Sequence, residues 1–144
     1  MVNQVTLMVY EIIEKVAEAK KREEKIEILR QYNHNWALKD ILRGTYDDKI
    51  QWNLPGGKPP YDPADEQTHP SSLTQHNKKF QYFVKGLIGD EMSAVKREKI
   101  FLDIIETVHP KDAELMLGMI NKKSIKGVTK KVVEEAFPNL IVSK

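Results

Sequence analysis

A chain of 144 residues, 40% hydrophobic and 31% charged, is long enough to bury a single core and too apolar to be a disordered tail. It holds no cysteine, which excludes disulfide scaffolds, thiolate metal sites and cysteine nucleophiles. No apolar run approaches membrane-spanning length, nothing resembles a signal peptide, and the formal net charge is only +2, so one cytoplasmic domain over residues 1–144 is expected, without a polyanion-coating tail.

Helical periodicity dominates the chain. Val5, Met8, Val9, Ile12, Ile13 and Val16 recur at three- and four-residue steps, while Glu11, Glu14, Lys15 and Glu18 face away. A second helix is expected over Arg22 to Tyr32, with Ile26 and Leu29 inward. Asn33-His34-Asn35 then offers a cap for a third carrying Leu38, Ile41, Leu42 and Tyr46. Residues 47–74 change character. Pro55-Gly56-Gly57, Pro59-Pro60, Asp62-Pro63 and Pro70-Ser71-Ser72 deny helix continuation, so residues 53–74 should be irregular, with Trp52 and Tyr61 pinning the loop to the body. Phe80, Phe83, Val84, Leu87 and Ile88 suggest a helix closed by Gly89. Ser93 caps the next, striped by Phe101, Ile104, Ile105 and Val108. Pro110 suits the first turn of another, with Asp112 near its positive end and Ala113, Met116, Leu117 and Ile120 buried. Thr129 caps a last helix to Phe137, stopped by Pro138. No strand-period segment competes. The fold class is all-α, about seven helices with one long Pro-rich loop.

Catalytic spacing is thin. His34, His69, His76 and His109 make no paired metal-ligand pattern. Asp62, Asp65, Glu66 and His69 crowd one loop without a glycine-centred calcium motif. Gly56-Gly57-Lys58 lacks the Ser/Thr and helix of a phosphate loop, and Ser71 and Ser72 have no base in sequence reach. No catalytic residue, metal or cofactor is expected.

Charge becomes informative when the chain is divided. Residues 1–74 carry 10 basic and 12 acidic side chains, and residues 75–144 carry 13 and 9. The excess peaks at Lys122, Lys123, Lys126, Lys130 and Lys131, with no acid between Asn121 and Lys131. Such a patch on a nearly neutral protein points to one anion-binding face. Gly127 there permits close approach or a positive-φ turn, and Thr129 opens a helix whose first N–H groups face outward. The same Gly–Thr pair also serves simply to turn the chain between two helices.

Two stretches carry a resemblance. Glu24-Lys25-Ile26-Glu27-Ile28-Leu29, Asn33-His34-Asn35-Trp36-Ala37-Leu38-Lys39-Asp40-Ile41-Leu42-Arg43, Thr45-Tyr46-Asp47 and Ile50-Gln51-Trp52-Asn53 form the first. Ala113-Glu114-Leu115, Asn121-Lys122-Lys123-Ser124-Ile125-Lys126-Gly127-Val128-Thr129 and Ala136-Phe137-Pro138-Asn139-Leu140-Ile141 form the second. In order and separation they resemble the N-terminal all-α DNA-binding domain of the ATP-dependent DNA ligases of T-even-type phages and related bacterial enzymes. Lys122-Lys123-Ser124 stands where that family has basic-Asp-Leu, and the Lys-x-Asp-Gly motif for covalent AMP attachment is absent from the chain.

The resemblance therefore implies a non-catalytic, phage-encoded accessory protein of replication, repair or recombination. It would bind the backbone and minor groove of double-stranded DNA with little sequence specificity, through Lys122, Lys123, Lys126, Gly127, Thr129 and Lys130. The alternative is a protein-interaction module on the same fold, engaging a replication or host protein through the Pro-rich loop and Phe80, Tyr82 and Phe83.

Overall fold

The computed structural model describes residues 7–65 and 70–141; Val5, Glu66 and His69 of the sequence reading lie outside them. Among the described residues six α-helices run in chain order: α1 (Val9–Glu18), α2 (Arg22–Gln31), α3 (Trp36–Tyr46), α4 (Ala94–Thr107), α5 (Pro110–Ile120) and α6 (Lys130–Ala136). Three 3-10 turns among those residues, Leu73–Gln75, Asn77–Phe83 and Ile88–Glu91, lie between α3 and α4. Among the described residues β structure is limited to isolated bridges, so the fold is all-α.

Short polar side chains set the starts of α3, α4 and α6. Asn35 accepts from Leu38 N at 3.0 Å, Ser93 from Lys96 N at 3.2 Å and Thr129 from Val132 N at 3.3 Å. Each satisfies one of the N–H groups that a helix start leaves open. Pro110 occupies the first turn of α5 as its fixed φ favours, and the Nδ1 of His109 accepts from Lys111 N at 3.1 Å as that helix's cap.

Helix α5 is the hub, packing against α1, α3 and α4, while α2 packs on α1 and α6. Its Ala113, Met116 and Met119 are fully enclosed, together with Ile12 and Val16 of α1, Leu38, Ile41 and Leu42 of α3 and Ile105 of α4. Each such large side chain contributes about 1.5–3 kcal/mol by leaving water. Met119 fills the place expected for Ile120, which is only partly buried. Gly44 lets α3 meet α5 closely: a Cβ there would stand 2.6 Å from Cζ2 of Trp52 and 2.7 Å from Sδ of Met119.

The excursion after α3 holds no helix before Leu73 among the described residues, and it is tied down at defined points. Trp52 Nε1 donates to Gly44 O at 3.1 Å. The Asn121 side chain accepts from Gly57 N at 2.6 Å and donates to Gly57 O at 3.0 Å. Ser71 N donates to Thr107 O at 3.1 Å.

The helix expected from Phe80 to Ile88 does not form. Phe80 and Phe83 are buried one 3-10 turn apart, but Val84 then pairs with Trp52: Asn53 N donates to Phe83 O at 2.8 Å and Lys85 N to Gln51 O at 2.7 Å. Those backbone groups are thereby withdrawn from any continuing helix. Gly89 lies within the next 3-10 turn rather than ending a helix, and Leu87 and Ile88 are left in solvent.

Candidate functional site

The lysine-rich segment is the connection between α5 and α6, and its geometry is braced from three sides. Helix α5 ends in a Schellman arrangement, with Lys123 N donating to Gly118 O at 2.9 Å and Lys122 N to Met119 O at 3.1 Å. Lys122 holds the left-handed position with φ 54°, where glycine is usual. Its side chain offsets the strain: Nζ donates to Gly44 O at 2.7 Å and to Asp47 O at 2.8 Å. Burial lowers the Lys122 pKa, against the opposing pull of Asp47 and Asp48.

A second brace is Tyr46. Its hydroxyl donates to Val128 O and accepts from Ile125 N at 2.9 Å, closing the small bridge between Ile125 and Val128. Burial raises its pKa, so the phenol stays protonated as that donor role requires. The third brace is Gly127, with φ +83° and pressed on α1: a Cβ would lie 2.7 Å from Cβ and 2.9 Å from Cα of Ala17. The Gly127 carbonyl accepts from Lys25 Nζ at 2.6 Å.

The six residues named from sequence therefore divide. Lys123 and Lys126 are exposed on the rigid turn. Lys130 follows at the start of α6, with Nζ 4.0 Å from a carboxylate oxygen of Asp48. Lys122 acts as a structural latch, with two of its three ammonium N–H groups engaged by backbone carbonyls. Gly127 is required by its φ and by Ala17, and Thr129 by the capping of α6. At the start of α6, a helix of only seven residues, Thr129 takes the Val132 N–H, one of the N–H groups that sequence reading left open.

Sequence spacing missed one contributor. The contact of Gly127 with Ala17 brings the end of α1 to the turn, where Lys20 and Lys21 follow, and Lys25 reaches the turn itself. Lys25 and Gly127 are 102 residues apart, and no local pattern announces the contact. Next to the turn a hollow of about 420 Å³ lies between α1 and α5, and its rim mixes Glu14 and Glu114 with Lys111, Lys123 and Lys126. Lys111 bonds Glu14 at 3.2 Å there.

Elsewhere, Ser71 does gain a basic neighbour: its Oγ lies 3.1 Å from His76 Nε2. Burial lowers the His76 pKa, and its buried Nδ1 has no hydrogen-bond partner, so nothing orients the ring as a nucleophile's base requires. No three His, Asp or Glu side chains converge as a metal site among the described residues. No helix among them is long and apolar enough to cross a membrane. The sequence matches the family model of DUF6433, a family of unknown function, over residues 12–126, a stretch that contains α2 to α5 whole and the turn as far as Lys126. No curated protein matches the chain.

Proposed function

The chain belongs to the DUF6433 family, and we propose that this member is a non-catalytic cytoplasmic protein that binds duplex DNA through the turn between α5 and α6. The observation that carries the reading is a braced loop presenting Lys123 and Lys126 outward, followed by Lys130 on α6. No acidic residue lies between Asn121 and Lys131 in the sequence, and the acids nearby, Asp48 at Lys130 and Glu14 and Glu114 on the adjoining rim, come from other segments. Bracing by Lys122, Tyr46 and Lys25 supports it, since little backbone entropy is then lost when the loop meets phosphates. Lysines at a turn contact phosphates and decode few bases, so binding follows groove shape with little sequence specificity. The likeness to ligase DNA-binding domains supports a minor-groove approach and an accessory place in phage replication, repair or recombination.

The test is a mobility-shift titration on duplex DNA across salt concentrations, comparing wild type with Lys123→Ala/Lys126→Ala/Lys130→Ala. Each lost phosphate contact flattens the slope of log affinity against log salt by about 0.9, so the triple variant should lose roughly 2–3. An unchanged slope, or wild type that binds no duplex at low salt, refutes the reading.

A second reading, a protein-interaction module, is favoured by the apolar residues left in solvent: Leu87 at 49%, Ile88 at 60% and Val95 at 80% exposure. Phe80 and Phe83 do not serve it, because both are buried.

A further inference from the structure

The outer side of α3 carries Trp36, Lys39 and Arg43 at helical spacing. Trp36 is 62% exposed, the most exposed of the aromatic side chains in solvent and an unusual placement for a residue of this size. Lys39 Nζ stands 4.5 Å from its ring centroid and 5.2 Å from that of Phe137, so the ammonium is held between two aromatic rings. Beside them a hollow of about 390 Å³ opens between α3 and residues 136–140, walled by Phe137, Pro138 and Leu140. Its lining contains two cations, Lys39 and Arg43, and no carboxylate. Asp40, between them in sequence, lines a neighbouring hollow that Arg43 also borders, and accepts from Asn77 Nδ2 at 2.7 Å. Arg43 is about half exposed and only loosely paired, its Nε 3.7 Å from Asp47 Oδ2.

An exposed indole, two cations and a nucleotide-sized concavity without acids complement one ligand chemistry, an aromatic base joined to a phosphate. We propose that the hollow beside Trp36 binds a nucleotide of single-stranded nucleic acid, with its base stacked on the solvent-facing side of the indole, away from the Lys39 ammonium, and its phosphates held by Arg43 and the outward N–H groups of Lys39. A base within a duplex is stacked on its neighbours and cannot offer its face to Trp36, so the site selects unpaired nucleotides. It uses none of the turn lysines and does not depend on the duplex reading.

The test follows tryptophan fluorescence of the full chain during titration with an oligothymidylate of about eight nucleotides and, separately, with thymidine monophosphate. Trp52 is partly buried with its Nε1 on Gly44 O, and serves as the internal reference. Quenching by the oligomer is expected, with a salt slope of about −1.4 for two phosphates on a single strand. Trp36→Leu should abolish the quenching, keep the helical circular dichroism, and weaken binding of a labelled oligomer about 5- to 150-fold. Lys39→Gln should retain quenching while weakening binding and flattening the slope, and reports on the site even if Trp36→Leu folds poorly.

Quenching by the monophosphate as well identifies a site for a single nucleotide unit, and quenching by the oligomer alone identifies a strand site; both support the proposal. Wild-type fluorescence indifferent to both ligands at low salt overturns it. So does a Trp36→Leu variant that binds the oligomer as wild type does. Loss of oligomer binding in the Lys123→Ala/Lys126→Ala/Lys130→Ala variant, with Trp36→Leu unaffected, would assign the strand to the turn and also overturn it. Failure of duplex binding alone leaves these outcomes unchanged.

Discussion

Asp112→Asn should stabilise the protein at neutral pH and remove part of its pH dependence. Asp112 is fully buried at the start of α5, where Oδ1 accepts from Tyr10 N at 2.8 Å and Oδ2 has no hydrogen-bond partner. Burial raises its pKa from 3.8 to about 6, against the Tyr10 hydrogen bond, with a small further push from Glu11. The folded protein therefore holds a proton that the unfolded chain releases at lower pH. That stability is fully present below the unfolded carboxyl pKa and is lost as pH rises through about 6. The difference amounts to about 3 kcal/mol between acid and neutral pH. An asparagine keeps the oxygen facing Tyr10 N and carries no charge at any pH. Urea melts of both proteins at about pH 4 and pH 7.5 isolate the effect, since the remaining titrating groups are common to the two. The advantage of Asp112→Asn should grow by roughly 2–3 kcal/mol between those pH values. A variant less stable than wild type at both pH values by the same amount would mean that the carboxylate is well compensated when ionised, and would refute the argument.

Tyr46→Phe leaves Ile125 N–H and Val128 C=O without their partner and should cost about 1–3 kcal/mol in a denaturant melt, with faster amide exchange at Ile125. Lys122→Ala should also destabilise, by about 1–2 kcal/mol, while leaving the duplex-DNA salt slope unchanged; a flattened slope would return Lys122 to the phosphate-binding set. Gly127→Val meets both a positive φ and the backbone of Ala17, so its thermal midpoint should fall well below that of wild type, and any lost binding would follow from a broken turn.

The helices were legible where local chemistry decides them. Asn35, Ser93, Pro110 and Thr129 mark starts that the structure keeps, because capping depends on neighbours three residues away. The stripe of α1 at Val9, Ile12, Ile13 and Val16 is buried as its period requires. Sequence reading failed at residues 77–91. The apolar spacing there fits an α-helix, yet the partners that pull the chain into a bridge, Gln51 and Asn53, lie some thirty residues earlier and leave no trace in the local period.

The basic turn was legible as a charge cluster, but the roles within it were not, and the reason is geometric. Five lysines in eleven residues look equivalent in a sequence. The backbone separates them, because a chain leaving α5 through a left-handed residue directs Lys122 at the carbonyls ending α3, whereas Lys123 and Lys126 point into solvent. One lysine thereby fixes the platform on which the others stand. A loop whose own cation is anchored in its scaffold presents the remaining charges at fixed spacing, and such preorganisation lowers the cost of binding phosphates in the function proposed above. The same reasoning applies on α3, where Lys39 lies between Trp36 and Phe137 and holds a large aromatic ring in a defined place at the surface. Local sequence records that a lysine follows a tryptophan by three residues; only the approach of Phe137 and its neighbours, at the end of α6, to that helix face makes the pair a surface with a shape.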